Sequence, residues 1–415
     1  MFRDDDGMFF LTLNDFDVKG KTVLVRVDIN SPIEPETGEI LDDTRIRMCS
    51  DTLKELVEKG AKVVVIAHQG RPGSDDFTTL EKHAEAMSQV LNAPVKYVDD
   101  IFGKAARDTI SELESGEILL LENSRFYSEE VINKPPEEQA KTHLVRKLSP
   151  LMDLYVNDAF AAAHRSQPSL VGFGVTLPSA AGRLMELELK GLERGREPEH
   201  PCLYVLGGAK VEDSLTLTNH VLKRGIADRV LAGGLVAQTL LASEGLELGD
   251  PNFRILSEKG YEEEIDRGKN ILSSYRGKIK LPEDLRLETK EGKAELLSVE
   301  DLPSDMIIYD IGDKTVEEYS KLIKNAKTVV ANGPVGVFEK PAFAEGTNGI
   351  LEAMVESNAF TVIGGGHLVA AANEGGFADQ LDHVSTSGGS LMSFLSGEKL
   401  PVVELLERAA KRRKQ

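Results

Sequence analysis

The chain has 415 residues, 41% of them hydrophobic and 28% charged, which sets roughly two or three globular domains and excludes a disordered polypeptide. Forty-nine Lys and Arg against 69 Asp and Glu leave a net charge of −20. That balance excludes the basic footprint of a nucleic-acid binder and adhesion to an anionic membrane surface.

In chain order, β-branched runs bounded by Gly, Asp or Asn predict strands at 23–28, 62–67, 95–98, 118–121 and 154–157. The second half continues with strands at 202–206, 229–231, 278–281, 306–309, 328–331, 359–363 and 384–385. Between them, helical periodicity places helices at 48–59, 80–91, 136–151, 214–224, 261–273, 315–325 and 348–356. Continuous apolar runs such as Val63-Val64-Val65-Ile66 suit strands covered on both faces. Alternating strand and helix implies parallel sheets with right-handed crossovers, an α/β fold. One open sheet of about a dozen strands would accumulate too much twist, so two sheets of about six are expected.

The break falls near 180–201. Residues 182–192 read as one helix, followed by the polar connection Gly195-Arg-Glu-Pro-Glu-His-Pro, either a hinge or an ordinary linker. The expected division is 1–180, a connecting helix and linker at 181–200, and 201–395. The stretch 402–414 is amphipathic and ends Lys411-Arg-Arg-Lys. Cations in a last helical turn complement the macrodipole, so this tip needs no partner.

Cys49 and Cys202 lie in different halves and match no metal spacing, which suits two buried free thiols and a reducing, cytoplasmic interior. The start Met-Phe-Arg-Asp-Asp-Asp is acidic where a signal peptide needs a basic run and then an apolar one. No run of about 18 apolar residues exists to span a membrane.

Ligands of open α/β sheets bind beyond the carboxyl ends of strands, so the residues that follow each strand carry the chemistry. In the first half these are Arg26-Val-Asp28-Ile29-Asn30, the loop to Asp43-Thr-Arg45, His68-Gln69-Gly70-Arg71, Glu122-Asn-Ser-Arg125 and Asn157-Asp158 with His164-Arg165. Arginines and histidines gathered at strand ends in an acidic protein indicate one anion site, because the guanidinium fork matches phosphate and carboxylate bidentately. In the second half the strand ends are glycines: Gly207-Gly208-Ala-Lys210, Gly233-Gly234, Asp310-Ile-Gly312, Asn332-Gly333-Pro-Val-Gly336, Gly364-Gly365-Gly366-His367 and Ser387-Gly388-Gly389. Glycine before a helix lets backbone N–H groups approach an anion at the helix N-terminus, a nucleotide-phosphate cradle by type. The signatures Gly-x-Ser-x-Gly, His-Glu-x-x-His and Cys-x-x-Cys are missing. An anion lobe and a nucleotide lobe without a protein nucleophile suggest phosphoryl transfer between two bound ligands.

The runs Arg26-Val-Asp-Ile-Asn30, His68-Gln-Gly-Arg-Pro72, Leu121-Glu-Asn-Ser-Arg-Phe126 and Tyr155-Val-Asn-Asp-Ala-Phe160 closely resemble the phosphoglycerate kinase family. So do Leu206-Gly-Gly-Ala-Lys-Val211, Asn332-Gly-Pro-Val-Gly-Val-Phe-Glu339, Val362-Ile-Gly-Gly-Gly366 and Ser385-Thr-Ser-Gly-Gly389, in order over nearly the whole chain. The resemblance implies two Rossmann-like lobes joined by a hinge helix that close on their substrates, with the tail 396–415 returning to the first. It implies reversible transfer between 1,3-bisphosphoglycerate and MgADP, giving 3-phosphoglycerate and MgATP. Asp28 and Asn30 would then hold the glycerate end, His68, Arg71, Arg125 and Arg165 would hold the phosphate that is not transferred, and Ile29, Gln69 and Gly70 would be further substrate-binding positions. Arg45 and Lys210 would be the catalytic cations at the transferring phosphoryl group. Gly208, Asn332, Gly336 and Glu339, with Gly364, Gly365, Gly366, His367 and Leu368, would take the nucleotide, Glu339 at the ribose. A monomer acting on small molecules, with no nucleic-acid or membrane partner, is the expectation.

Two departures from the family pattern resemble its archaeal branch. Ser214 stands where many members have lysine, and His367 follows the glycine triplet where aspartate is usual. That aspartate ordinarily helps hold the metal–nucleotide, and neutral imidazole is a poor ligand for hard Mg²⁺, which leaves the metal ligands unassigned. The loop 33–43 looks slightly long, an expected surface effect. A nicotinamide-dependent oxidoreductase is the rival from another enzyme class, but a complete Gly-x-Gly-x-x-Gly with its acidic partner is missing. The other alternative is a non-catalytic two-lobed relative that binds anion and nucleotide.

Overall fold

A computed structural model of the protein describes residues 10–414, the side chain of Lys414 excepted. The acidic start read against a signal peptide therefore lies outside the described residues. The fold separates into two compact units: one runs to Leu189 and resumes at Lys399, the other is Lys190–Glu398.

The first unit is built on six parallel strands: β1 (Thr22–Arg26), β2 (Lys62–Ile66), β3 (Val95–Val98), β4 (Ile118–Leu121), β5 (Leu154–Asn157) and β6 (Ser179–Ala181), in the order β3-β4-β2-β1-β5-β6. β1 lies between β2 and β5, Val23 beside Val63 and Leu154. Both faces of these central strands are covered, and Val63 to Ile66 are fully buried. Burying one such side chain contributes ~1.5–3 kcal/mol, which is why the strands read as unbroken apolar runs. The sequence did not predict β6, three small residues Ser-Ala-Ala that close the sheet beside β5.

The second unit contributes β7 (Cys202–Leu206), β8 (Arg229–Ala232), β9 (Ile279–Lys280), β10 (Asp284–Glu288), β11 (Ala294–Ser298), β12 (Ile307–Ile311), β13 (Thr328–Asn332), β14 (Phe360–Gly364) and β15 (His383–Val384). Six of them form a parallel sheet in the order β15-β14-β13-β7-β8-β9. The other three form an antiparallel sheet, β11-β10-β12, with its own small core of Leu285, Leu287 and Ile308 against Leu241, Leu248 and Leu256. The strand expected at 306–309 belongs here and not to the parallel sheet, a placement that strand-by-strand periodicity does not specify.

Two predicted helices are broken. The stretch 136–151 divides into Pro136–Gln139 and His143–Leu148 because Thr142 Oγ1 donates to the Gln139 carbonyl (2.7 Å), capturing a group the helix would otherwise use. The stretch 48–59 is part of two helices, Thr44–Met48 and Ser50–Glu58, which meet at Cys49. The unpredicted helix Gly234–Ser243 buries Val236 to Leu241 around most of its circumference, so its sequence carries no amphipathic period. The unpredicted helices Gly366–Glu374 and Gly388–Leu395 start inside glycine runs that read as turns.

The helix Arg183–Arg196 carries the chain from one unit to the other, four residues beyond the predicted end. Its start is tied into the first unit: Arg183 pairs bidentately with Glu55 (2.6 and 2.7 Å), and the Met185 N–H donates to buried Asp158 (3.0 Å). The Arg183 guanidinium holds the Glu55 carboxyl down to about 2. At its other end, the Tyr204 hydroxyl donates to the Gly195 carbonyl (3.1 Å) and the Arg194 guanidinium lies over the Phe360 ring (3.7 Å). The C-terminal helix Pro401–Lys414 packs in the first unit, with Arg408 paired to Glu137 (2.8 Å) and Arg412 donating to the Gly174 and Val175 carbonyls. Among the described residues, no helix is long and apolar enough to cross a membrane.

Candidate active site

The arginines predicted at separate strand ends of the first unit share one neighbourhood. Arg165 feels the charges of Asp28, Arg26, Arg71 and Arg45; Arg125 feels Arg165, Arg26 and Arg71. Burial and these like charges push the Arg125 guanidinium down to about 10 and lower that of Arg165. Five guanidinium groups crowded together destabilise the empty site, and an anion with more than one negative charge relieves them.

Asp28 is the counterweight. It pairs with Arg45 (2.9 Å) and accepts from the Asn30 N–H (3.1 Å). Burial opposes its ionisation, but the guanidinium charges of Arg45 and Arg26 and the Asn30 N–H outweigh that and hold its carboxyl below the usual range. Asn30 Oδ1 accepts from the Gly70 N–H (2.7 Å), and the Gly70 carbonyl accepts from Arg125, so the loops after β1, β2 and β4 brace one another.

Two expected contacts have only backbone to offer. Gln69 is fully buried; its side chain bonds both the N–H and the carbonyl of Ser31 (2.9 Å each) and meets His83 (3.0 Å). Ile29 lies wholly in the core. The loop 33–43 folds on itself, Ile33 bridging Ile40, with mostly exposed side chains.

Arg26 was quoted in a motif without a role, and the structure puts it at the centre of the cluster. It is 1% exposed and all its nitrogens are engaged: Nε donates to Ser169 Oγ (2.8 Å), Nη1 to the Val27 carbonyl, and Nη2 to His68 Nδ1 (2.9 Å). A buried guanidinium on an interior strand breaks the apolar pattern, and that break is the signal the sequence offered.

In the second unit, backbone packs on backbone. A Cβ on Gly207, at the end of β7, would lie 2.3 Å from the Pro334 carbonyl oxygen after β13. Gly365 has φ +88°, and a Cβ there would sit 3.1 Å from Asn332 Oδ1 and 3.3 Å from the Gly333 nitrogen. Both turns need glycine. Gly366 opens the helix Gly366–Glu374, so its first N–H groups lie directly after the β14 turn. Asn332 is 5% exposed and its Oδ1 has no hydrogen-bond partner.

Beside these turns lies a cavity of about 260 Å³, lined by Gly208, Ala209, Gly234, Leu235, Gln238, Ile255, Ile308, Tyr309, Pro334, Gly336, Val337, Glu339 and His367. The apolar residues from the helix Gly234–Ser243 and from β12 were not foreseen, since each reads as ordinary core. His367 Nδ1 bonds Glu339 Oε1 at 3.0 Å. Leu368 packs into the unit's core. Lys210 is exposed and stands just before the helix Val211–Lys223, outside the cavity lining; Ser214, one turn on, is fully buried with its Oγ unpaired. Among the described residues, no three His, Cys, Asp or Glu side chains are arranged to hold a metal ion.

A family model described as phosphoglycerate kinase matches residues 13–398 of the chain. A phosphoglycerate kinase of Methanobacterium bryantii is 53% identical over 398 residues, 96% of this chain and 97% of that one. One of Methanothermus fervidus is 52% identical over 404 residues, covering 97% and 98%. Among solved structures, the crystal structure of a phosphoglycerate kinase from Pyrococcus horikoshii OT3 is similar with a TM-score of 0.90 at 44% identity, covering 97% of this chain and all of that one.

Proposed function

The chain belongs to the phosphoglycerate kinase family, and from that premise we propose that its first unit holds the phosphoglycerate and its second the adenine nucleotide. The enzyme is a kinase of glycolysis that transfers a phosphoryl group between two small molecules. The observation that carries the division of labour is the shared field of Arg26, Arg45, Arg71, Arg125 and Arg165 around Asp28 and His68.

In this reading Arg71, Arg125, Arg165 and His68 bind the phosphate that stays, while Asp28, Asn30 and the backbone at Ile29, Gln69 and Gly70 take the glycerate end. The carboxylate of 3-phosphoglycerate is itself the nucleophile, so the protein supplies positioning and charge and no covalent group. Arg45 and Lys210 neutralise charge on the oxygens of the transferring group. The cavity beside Gly208 and Gly336 takes the nucleoside, with Glu339 at the ribose, and the glycine turn at 364–366 takes the phosphates.

Mg²⁺ travels with the nucleotide in this reading. Magnesium commonly keeps several waters and binds through substrate phosphates with only one or two protein oxygens, so it does not require a three-ligand cage. The orphaned Asn332 Oδ1, a hard oxygen at the glycine turn, fits such an ion; His367, already bonded to Glu339, does not. Asn332 would hold such an ion beside the glycine turn, where it would supply positive charge against the negative charge that develops during transfer. The acidic balance speaks against nucleic-acid and membrane partners, the two buried free thiols suit a reducing, cytoplasmic interior, and in this reading the protein acts as a monomer.

The test is a coupled assay that forms 1,3-bisphosphoglycerate from ATP and 3-phosphoglycerate, with and without magnesium. Magnesium-dependent turnover is expected. Tight binding of both ligands without turnover would instead favour the non-catalytic relative.

A further inference from the structure

One buried carboxylate in the first unit has no part in the reading above. Glu130 lies in the turn Ser128–Val131 and is 1% exposed. Both of its oxygens face Ser169: Oε2 accepts from the Ser169 N–H (3.0 Å) and Oε1 accepts from the Ser169 hydroxyl. The Ser169 oxygen in turn accepts from Arg26 Nε (2.8 Å), and Arg26 Nη2 reaches His68 Nδ1 (2.9 Å). The path Glu130–Ser169–Arg26–His68 thus runs from the protein interior to a predicted substrate ligand.

With Glu130 ionised, the direction of every hydrogen bond on this path is fixed by chemistry. Guanidinium has donors only, so His68 Nδ1 must accept, and the ring proton must sit on Nε2. His68 is 3% exposed, and burial together with the Arg26 charge keeps it neutral, well below its ordinary value. A neutral imidazole serves an anion only through its single N–H, so the tautomer decides whether His68 can donate to phosphate. The Ser169 hydroxyl has one proton. Sent to Glu130, it leaves a lone pair for Arg26; sent elsewhere, it leaves the guanidinium facing a weaker partner.

We propose that Glu130 is a positioning residue of the substrate site: through Ser169 it sets Arg26, and Arg26 locks His68 in the tautomer whose Nε2–H donates to the phosphate of the glycerate ligand. This rests on His68 being a ligand of that phosphate.

The surroundings support an acid–base sensitivity as well. The groups facing Glu130 are Arg26 from β1, Arg125 from the turn Ser124–Phe126, Ser169 from the turn Pro168–Gly172 and Tyr155 from β5. Burial raises the Glu130 carboxyl, and Arg26, Ser169 and Arg125 pull it partly back, leaving it at about 7. Above that pH the carboxylate accepts from Ser169 twice; below it one oxygen carries a proton and the relay weakens.

The experiment uses the full-length enzyme and its variants Glu130→Gln, Ser169→Ala and Ser169→Thr. Nitrogen-15 shifts of His68 in the ligand-free protein report the tautomer, and calorimetry reports affinity for 3-phosphoglycerate and, as a control on folding, for ADP. Glu130→Gln and Ser169→Ala should give a mixed His68 tautomer and weaken 3-phosphoglycerate roughly tenfold, as removal of an outer hydrogen-bond partner of a liganding histidine does. ADP affinity should hold, and Ser169→Thr, which keeps the hydroxyl, should restore both readings. The affinity gap between wild type and Glu130→Gln should narrow as pH falls from 8 to 6, because protonated Glu130 then resembles the amide. The phosphate of the ligand, with its own pKa near 6, titrates alike with both proteins and cancels in the ratio. An unchanged His68 tautomer in both Glu130→Gln and Ser169→Ala overturns the relay. A changed tautomer with unchanged 3-phosphoglycerate affinity overturns instead the assignment of His68 to that ligand.

Discussion

In the first unit the charged groups stand where they do because other side chains hold them: Arg26 is pinned by three acceptors, Arg125 by the Gly70 carbonyl, and Gly70 by Asn30. In the second unit the glycine turns are shaped by side chains that are missing, with Gly207 and Gly365 leaving less than 3.4 Å between a hypothetical Cβ and the neighbouring turn. The two solutions fail differently. A site made of supported charges is weakened by taking atoms away, and a site made of bare backbone is damaged by adding them.

The sharpest break in this symmetry is Lys210, an exposed cation in the glycine-rich unit. Lys210→Ala should lower kcat by ~10²–10³-fold while leaving affinity for 3-phosphoglycerate unchanged, since a transition-state donor registers in turnover. Lost affinity at constant kcat would assign it to ground-state binding. Next is Arg71→Ala, which removes one charge from the supported cluster. A charge-assisted hydrogen bond contributes about 1.5–3 kcal/mol, so 3-phosphoglycerate affinity should fall roughly 10- to 100-fold with ADP affinity intact. Calorimetry with each ligand separates the units, and equal losses for both would erase the distinction drawn here.

Adding a single carbon tests the other side. Gly365→Ala forces a Cβ at φ +88° against Asn332 and Gly333, a strain of about 1–3 kcal/mol. It should weaken ADP and lower the melting temperature without altering 3-phosphoglycerate affinity; an unaffected ADP affinity would remove the turn from the site. The smallest effect concerns His367. His367→Asp would set a second carboxylate 3 Å or so from Glu339 and should tighten apparent Mg²⁺ affinity severalfold, read from the magnesium dependence of turnover. No change would mean the ion sits elsewhere.

Much of this was legible in residue order. The apolar runs at β2, β4, β5 and β7 marked central strands because both faces are buried, and the arginines that follow the strands of the first unit do share one neighbourhood. The groups that failed to show are those whose role depends on a distant partner. Glu130 and Ser169 are 39 residues apart, and neither differs on paper from any surface Glu or Ser. The lining from Leu235, Gln238 and Tyr309 was hidden for the opposite reason, since apolar and neutral residues read as core whether they face a cavity or a neighbour.

The sequence by itself determined the α/β class, the two parallel sheets and the kinds of residue at their strand ends, because strand periodicity and turn glycines are local properties. The tertiary structure alone decided that β10, β11 and β12 leave the parallel array for an antiparallel sheet of their own. It alone decided that Gln69 is a strut, and that a fully buried arginine links an interior carboxylate to His68. Each of these is a matter of which surfaces and hydrogen-bond partners meet across long stretches of chain, and only packing fixes that.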